Sequence, residues 1–380
     1  MEAQLRDAVR ELCSRYPNDY WQRVDRTRSY PDAFVAELTE AGYLACLIPE
    51  EYGGSGLGIR EACIILEEIN RSGGNAAACH AQMYTMGTLL RYGSDDQKAR
   101  YLPGIADGTL RLQAFAVTEP DAGSDTTAIS TFAHRQGDKY VVSGKKIFIS
   151  RVQHSDLMIL LARTTPLEEV EKKTKGMSVF VVDLRDVPEN RMEVRPIEAM
   201  INHETNELFL DELEIPVENR IGEEGEGFRY ILGGMNAERI LLASESVGDG
   251  LYFTDRAKQY AGERVVFGRP IGANQGVQFP IAKAYVGIRG AAAMRDEAVR
   301  RYDRGEACGA EANMAKLLAA EAAWDAANVA MDAFGGYGFA EEYGIERKFR
   351  EARLYMVAPI SNNMVLSYIG QHVLGMPRSF

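Results

Sequence analysis

The sequence predicts an α+β protein built in several layers, with helices first, then a run of strands, then helices again. Three observations carry that expectation. From Ala3 to about Asp107 apolar residues recur at spacings of three and four, the period of a helix with one buried face. From about Arg111 to Gly225 the spacing shortens to two, the period of a pleated strand. From Gly227 onward the helical period returns in several long segments. The expected boundaries are therefore 1–110, 111–225 and 226–380.

Each stretch has its own punctuation. The opening MEAQLRDAVRELC reads as an amphipathic helix, because it lacks the uninterrupted apolar core and small-residue cleavage site of a signal peptide. Helical periodicity continues through Ile59–Ile69 and Met83–Leu90, with breaks at Pro49–Gly58 and Ser72–Gly74. Strands are expected at Tyr140–Val142, at Val179–Val182 and along the alternating Leu208, Leu210, Leu213 and Ile215, with turns at Gly137-Asp138 and Pro188. The last helices are separated by Gly268-Arg269-Pro270, Asp303–Gly309 and Gly335–Gly344.

Composition excludes several function classes. The chain has 380 residues, 46% of them apolar, which suits one multi-layer protomer. A net charge of −12 argues against nucleic acid, whose phosphates need a dense basic footprint. No apolar run reaches the roughly 18 residues that a membrane-spanning helix needs. Cys13, Cys46, Cys63, Cys79 and Cys308 are odd in number and scattered, so neither a disulfide framework nor a metal cluster is expected. A reducing, cytoplasmic setting follows. The five histidines are isolated, which suits packing or surface roles rather than metal ligation.

The most informative segment is AVTEPDAGSD, Ala116 to Asp125. It reads as a strand end running into a glycine-containing turn lined by Thr118, Glu119, Asp121, Ser124 and Asp125. Such a turn presents backbone N–H groups and hydroxyls to an anionic or carbonyl-bearing ligand, although by itself it is equally a tight corner. Its companions are IPEEYGGSGLG (Ile48–Gly58), YGSDDQKARYLPGIADG (Tyr92–Gly108), YVVSGKKIFIS (Tyr140–Ser150), ERVVFGRPIGANQGVQ (Glu263–Gln278) and FGGYGF (Phe334–Phe339). In this order and spacing the motifs resemble the acyl-CoA dehydrogenase family, flavoenzymes that desaturate acyl thioesters between Cα and Cβ. The likeness covers nearly the whole chain. It implies an N-terminal helical domain, a β-barrel-like middle domain and a C-terminal four-helix bundle. It also implies FAD, an acyl-CoA substrate, an electron-transfer flavoprotein as acceptor, and a homo-oligomer, usually a tetramer, with FAD contacts crossing between subunits.

The resemblance assigns residues one by one. Phe115, Val117 and Thr118 line the isoalloxazine from one strand, and Phe148 and Ser150 back it from another. Phe148 stands where many members carry Trp; either ring offers a planar apolar wall, while pattern alone reads Phe148 equally as strand core. Ser124 matches a hydroxyl near the CoA arm, and Asn236 and Arg239 fall on the substrate side. Arg264, Phe267, Gln275 and Gly336 match the positions that hold the dinucleotide pyrophosphate, a task suited to a guanidinium beside glycine backbone. Val266 and Asp332 depart from the usual residues there. Ser361 and Asn363 match flavin-side positions.

One departure bears on the chemistry. ARLYMVAPISNN, Ala352 to Asn363, aligns without gaps and puts Pro359 where many members carry the glutamate that removes the α-proton. The base is absent, and so is the backbone N–H that this position donates to the thioester carbonyl. Phe228, Ile231, Met235, Glu238, Leu242 and Glu245 recur at alternating spacings of three and four, so two acids interrupt an apolar helix stripe. A buried carboxylate needs a partner or a job, and pairing with Arg239 or exposure at the helix edge would satisfy the first. The resemblance supplies the second, since isovaleryl-CoA and long-chain dehydrogenases carry their base at the position of Glu238. Glu245 lies about two turns further on.

The leading expectation is thus FAD-dependent α,β-desaturation with Glu238 as base. Two others remain open: a non-dehydrogenating elimination on an acyl-CoA, desulfinase-like, in which FAD is structural, and a non-catalytic acyl-CoA-binding protein. Bleaching of the flavin by a saturated acyl-CoA separates the first from both.

Overall fold

A computed structural model describes residues 2–378. In chain order its helices are α1 (Glu2–Ser14), α2 (Asn18–Arg26), α3 (Asp32–Glu40), α4 (Ile59–Arg71), α5 (Ala77–Tyr92), α6 (Asp95–Asp107), α7 (Gly227–Glu263), α8 (Gln275–Asp303), α9 (Gly309–Phe334), α10 (Ile345–Ala352) and α11 (Asn362–Tyr368). Between α6 and α7 run β1 (Leu112–Ala116), β2 (Phe132–Gln136), β3 (Lys139–Ser150), β4 (Leu157–Arg163), β5 (Met177–Asp183), β6 (Met192–Pro196), β7 (Thr205–Pro216) and β8 (Arg220–Ile221). The chain divides into two compact units. One holds the segment up to Ser29, Gly58–Ala76 and everything from Asn236; the other holds Tyr30–Leu57 and Ala77–Met235. The N-terminal helices are therefore shared out: α3, α5 and α6 join the strands, and α1, α2 and α4 join the later helices.

In the sheet-containing unit the strands run in the order β6-β7-β3-β2-β4-β5-β8, with β1 paired in parallel to β4. β4 is buried along its whole length and β5 nearly so, which is why both read as continuous apolar runs instead of alternating ones. Leu157, Ile159 and Leu161 face Met86, Leu89, Leu102 and Ile105 of α5 and α6. Met158, Leu160 and Ala162 face the opposite layer with Tyr140, Val142, Phe180 and Leu208. Each such large aliphatic or aromatic side chain contributes roughly 1.5–3 kcal/mol over its exposed state. α6 begins with a capping box, in which Ser94 Oγ accepts from Gln97 N at 3.2 Å and Gln97 Oε1 accepts from Ser94 N at 3.0 Å. It ends at Gly108, whose φ of +82° only glycine adopts without strain.

In the helical unit α9 presents alanines at 312, 315, 319, 323, 326 and 330, all buried, and this smooth face packs on α8. Close approach recurs on α7: a Cβ added at Gly248 would lie 2.4 Å from the Glu67 carbonyl oxygen of α4. Charge is buried here too. Glu67 and Glu68 of α4 bind Arg6 and Arg10 of α1, and Glu67 also faces Arg295 of α8. A second cluster joins Asp249 of α7 to Lys348 and Glu351 of α10, while Lys348 and Arg347 donate to the carbonyls of Gly74 and Gly73. No helix among the described residues is long and apolar enough to cross a membrane.

Candidate active site

The residues singled out from the sequence fall into two groups, one on each unit. In the sheet-containing unit, β1 ends at Ala116 and hands the chain to Val117, Thr118 and Glu119. Phe115 is half-buried and meets Tyr84 edge-on, ring centroids 5.3 Å apart. Glu119 and Ala122 exchange backbone hydrogen bonds, which closes the turn and leaves Gly123 and Ser124 at an exposed tip. No atom lies within 4 Å of where a Gly123 Cβ would stand, so the backbone is open to approach.

Phe148 departs from the simple strand pattern. Along β3 the even-numbered Tyr140, Val142 and Lys146 are buried, and unbroken alternation would bury Phe148 with them. Instead the β3–β7 register shifts between Lys146 and Ile149. The bulge turns Ile149 inward and leaves Phe148 62% exposed at a φ of +59°. The core reading of Phe148 is thereby corrected: the extra residue of the bulge reverses the parity. A large apolar ring held outward at a backbone angle that costs a non-glycine residue about 1–3 kcal/mol is a feature that needs a use. Ser150, just beyond, meets Thr205 Oγ1 at 3.1 Å.

Behind this surface stands a buried ion pair. Lys146 Nζ donates to Glu119 Oε1 at 2.8 Å and to the Val117 carbonyl at 3.0 Å. Glu119 further accepts from Ser130 N, Ser130 Oγ and Thr131 N. Burial pushes the Lys146 ammonium down to about 8 against the pull of Glu119. Burial would raise the Glu119 carboxyl, but the Lys146 charge and these donors hold it below the ordinary carboxylate range. Sequence reasoning placed Glu119 in the turn and missed Lys146. The signal was available, because Lys146 shares the parity of Tyr140 and Val142 and a lysine on a buried face requires a partner.

In the helical unit α7 carries the second group. Of its stripe, Phe228, Ile231 and Met235 still belong to the sheet-containing unit; in the helical unit Leu242 and Glu245 are buried and Glu238 is half-buried. Arg239 Nη1 donates to Asn236 Oδ1 at 3.1 Å. Burial lowers the Arg239 guanidinium from its usual value, with Glu238 opposing that shift. Lys316 of α9 is fully buried and donates to the Ile360 carbonyl at 2.8 Å and Asn362 Oδ1 at 2.7 Å. Burial, with Arg239 as the next contribution, brings Lys316 down to about 8. Lys316 therefore ties α9 to the loop that carries Pro359, Ser361 and Asn363. Sequence reasoning missed it as well. Ser361 caps α11 by accepting from Met364 N at 3.3 Å, and Asn363 is exposed.

After α7 the chain makes a two-stranded hairpin, β9 (Val265–Val266) and β10 (Arg269–Pro270). Phe267 at its tip has a φ of +52° and is fully exposed. Arg264 precedes the hairpin, is exposed, and stacks its guanidinium 5.7 Å from the Tyr337 ring centroid. Tyr337 follows Gly336 directly, so Arg264 and Gly336 are brought together, and no atom lies within 4 Å of a Gly336 Cβ position. Gln275 opens α8.

Comparison with known proteins matches three successive family models: acyl-CoA dehydrogenase N-terminal domain over residues 1–109, middle domain over 114–213 and C-terminal domain over 225–374. The chain belongs to the acyl-CoA dehydrogenase family. Among its relatives, acyl-CoA dehydrogenase FadE12 of Mycobacterium tuberculosis is 36% identical, with 99% of this chain and 96% of that protein covered. Cyclohex-1-ene-1-carbonyl-CoA dehydrogenase of Syntrophus aciditrophicus is 34% identical, with coverage of 97% and 89%. The solved glutaryl-coenzyme A dehydrogenase in complex with glutaryl-CoA superposes with a TM-score of 0.92 at 32% identity, covering 100% of this chain and 96% of that one. This acyl-CoA dehydrogenase is an oxidoreductase with the family's succession of helical, sheet and helical segments.

Proposed function

We propose that this acyl-CoA dehydrogenase binds FAD and desaturates its acyl thioester with Glu238 as the base. The observation that carries the reading is a proline at 359 together with a half-buried glutamate at 238 on the apolar stripe of α7. A carboxylate at Glu238 takes the α-proton, and its partial burial favours that transfer by weakening competition from water. Arg239 and Asn236, bonded to each other beside it, orient the thioester. With no N–H at 359, polarisation of the thioester carbonyl falls to other donors.

The residues present fit the flavin dinucleotide. Phe148 offers an exposed ring beside the ends of β1 and β3, and Thr118 and Ser150 supply hydroxyls at those ends. Arg264 with the open backbone of Gly336, together with Gln275, forms a donor set suited to a diphosphate, while Phe267 offers an exposed ring at the hairpin tip. Ser361 and Asn363 add amide and hydroxyl groups from the flavin side, and Ser124 meets the CoA arm. When bound, FAD supplies the oxidant that accepts the Cβ hydride, and an electron-transfer flavoprotein then takes the electrons. Phe279, Tyr285 and Val286 leave an exposed apolar face on α8, which supports a homotetramer in which a second copy covers it. The buried free cysteines suit a cytoplasmic setting.

The test is anaerobic titration of the FAD-loaded protein with straight-chain, branched, cyclic and dicarboxylic acyl-CoAs, following flavin absorbance in parent and Glu238→Gln. Bleaching by one class that disappears in the variant supports the reading and names the substrate class. Tight FAD with no bleaching by any thioester overturns it in favour of non-redox chemistry.

A further inference from the structure

We infer that the buried pair Lys146–Glu119 is the positioning device for the flavin-facing surface, setting both the course of residues 117–119 and the outward stance of Phe148. The inference rests on the proposal that Val117, Thr118 and Phe148 line the isoalloxazine.

Three bonds stitch the end of β1 to β3 just where the register shifts. Lys146 Nζ reaches the Val117 carbonyl at 3.0 Å and Glu119 Oε1 at 2.8 Å, and Ile147 N donates to the Thr118 carbonyl at 3.0 Å. Together they take up the carbonyls of residues 117 and 118 from behind. The remaining polar edge of this segment, including the Thr118 hydroxyl, is free to turn toward a ligand. They also pin the two residues before Phe148, so the positive φ at Phe148 is imposed by its neighbours and not by its own preference.

The pair is fastened on its far side as well. Glu119 gathers Ser130 N, Ser130 Oγ and Thr131 N at 2.6, 2.9 and 3.0 Å, tying the two ends of the Asp121–Ser130 loop together. Arg163, also buried, donates through Nε to the Ile129 carbonyl at 2.9 Å and through Nη2 to the Thr127 carbonyl. Gly144 permits the close pass this needs, since a Cβ there would lie 2.4 Å from Thr131 Oγ1. Two buried charges are a costly way to hold a turn that backbone bonds alone would close. Desolvation offsets much of the attraction in such a pair, so its stabilising effect alone does not account for it. Here the geometry specified is that of one exposed ring and one strand end.

The test uses the full-length protein and compares Lys146→Met, Glu119→Gln, Phe148→Ala and Tyr140→Phe. FAD dissociation constant, flavin absorption spectrum and the split between kcat and KM are read for each, with unfolding of the apo form alongside. Tyr140→Phe is the stability control, because Tyr140 lies on the same strand and pairs with Glu224 and Arg220 away from this loop. Lys146→Met is expected to raise the FAD dissociation constant at least tenfold and shift the flavin spectrum, while Tyr140→Phe lowers stability with FAD affinity within twofold of parent. If Lys146→Met does not fold, Glu119→Gln decides, with a several-fold loss of FAD affinity expected. An effect of Phe148→Ala on FAD binding and spectrum, with none from Lys146→Met or Glu119→Gln, overturns the positioning role alone. No effect from Phe148→Ala overturns the lining proposal, and the inference with it.

Discussion

Arg295 Nη1 stands 2.8 Å from Glu67 Oε2 in the helical unit, with 5% and 7% of the two side chains exposed. Glu67 at the same time holds Arg6 at 2.7 Å, so one carboxylate of α4 answers guanidinium groups from α1 and α8. Removing it takes from buried Arg295 its buried acidic partner and leaves the largely exposed Asp296, 2.7 Å from its Nε. Glu67→Ala is expected to destabilise this unit by about 3–5 kcal/mol in urea unfolding. Glu67→Gln, which keeps a hydrogen-bond acceptor, is expected to cost less. Equal losses for the two substitutions would place the effect in the lost charge rather than in packing or the retained acceptor.

Asp249 links pH to stability. Burial, aided by Glu351, pushes its carboxyl up to about 7 despite Lys348 at 2.5 Å. The other groups facing it are Tyr355, whose hydroxyl donates to Asp249 Oδ2 at 2.9 Å, and Arg347 beyond Glu351. A folded-state value above the unfolded one means that the native protein binds the extra proton. The associated stability is complete below about pH 4 and is lost as pH rises through about 7. Parent stability should therefore fall between about pH 4 and 7 relative to Asp249→Asn, by at most about 1.4 kcal/mol per pH unit, and level off above that. Parallel pH profiles for the two proteins would contradict the assignment.

If Phe148 lines the flavin as proposed, its backbone sets stability against cofactor binding. Glycine adopts its φ of +59° freely, so Phe148→Gly relieves a strain of about 1–3 kcal/mol, partly offset by the flexibility that glycine adds to the unfolded chain. Because the ring is largely exposed, little buried area is lost. The apo-protein is expected to be as stable as the parent or up to about 1 kcal/mol more so, while FAD affinity falls. A clear loss of apo stability would show that the ring packs in the fold.

Glu238→Gln keeps size and hydrogen bonding and removes the proposed base. Flavin reduction by the preferred acyl-CoA, measured by anaerobic stopped flow, is expected to slow by about 10²–10⁴-fold, with FAD affinity unchanged. A parallel Glu245→Gln variant should leave the chemical step within a few-fold of parent. If Glu245 gave the larger loss, the base would be two turns further along α7.

How far the sequence reads through to the site can be judged on β3 and α7. On β3 the period-two pattern identified the strand, and the resemblance identified Phe148. Neither contained the bulge between Lys146 and Ile149, because a one-residue register shift depends on which bonds the facing strand and the preceding turn can complete. Parity marked Lys146 as buried, but only the approach of Glu119 and the Val117 carbonyl gave that burial a reason. On α7 periodicity placed Glu238 and Glu245 on one stripe. Their different burial was not in the pattern, since it depends on which residues from other parts of the chain lie over each turn.

The N-terminal helices show the same division. Their period and their caps, such as the Ser94–Gln97 box, are local, so the order and type of elements follow from the chain alone. Their partners are not local: α3, α5 and α6 bury their apolar faces with the strands, and α1, α2 and α4 with the helices from α7 onward. Sequence by itself determined the elements, the family and the absence of a carboxylate at 359, because these depend on residue type and spacing. Tertiary structure decided the Lys146–Glu119 pair, the outward turn of Phe148 and the bonds from Lys316 to the Ile360 carbonyl and the Asn362 side chain. Buried charges and strained backbone persist only where surrounding contacts, distant in sequence, offset their cost.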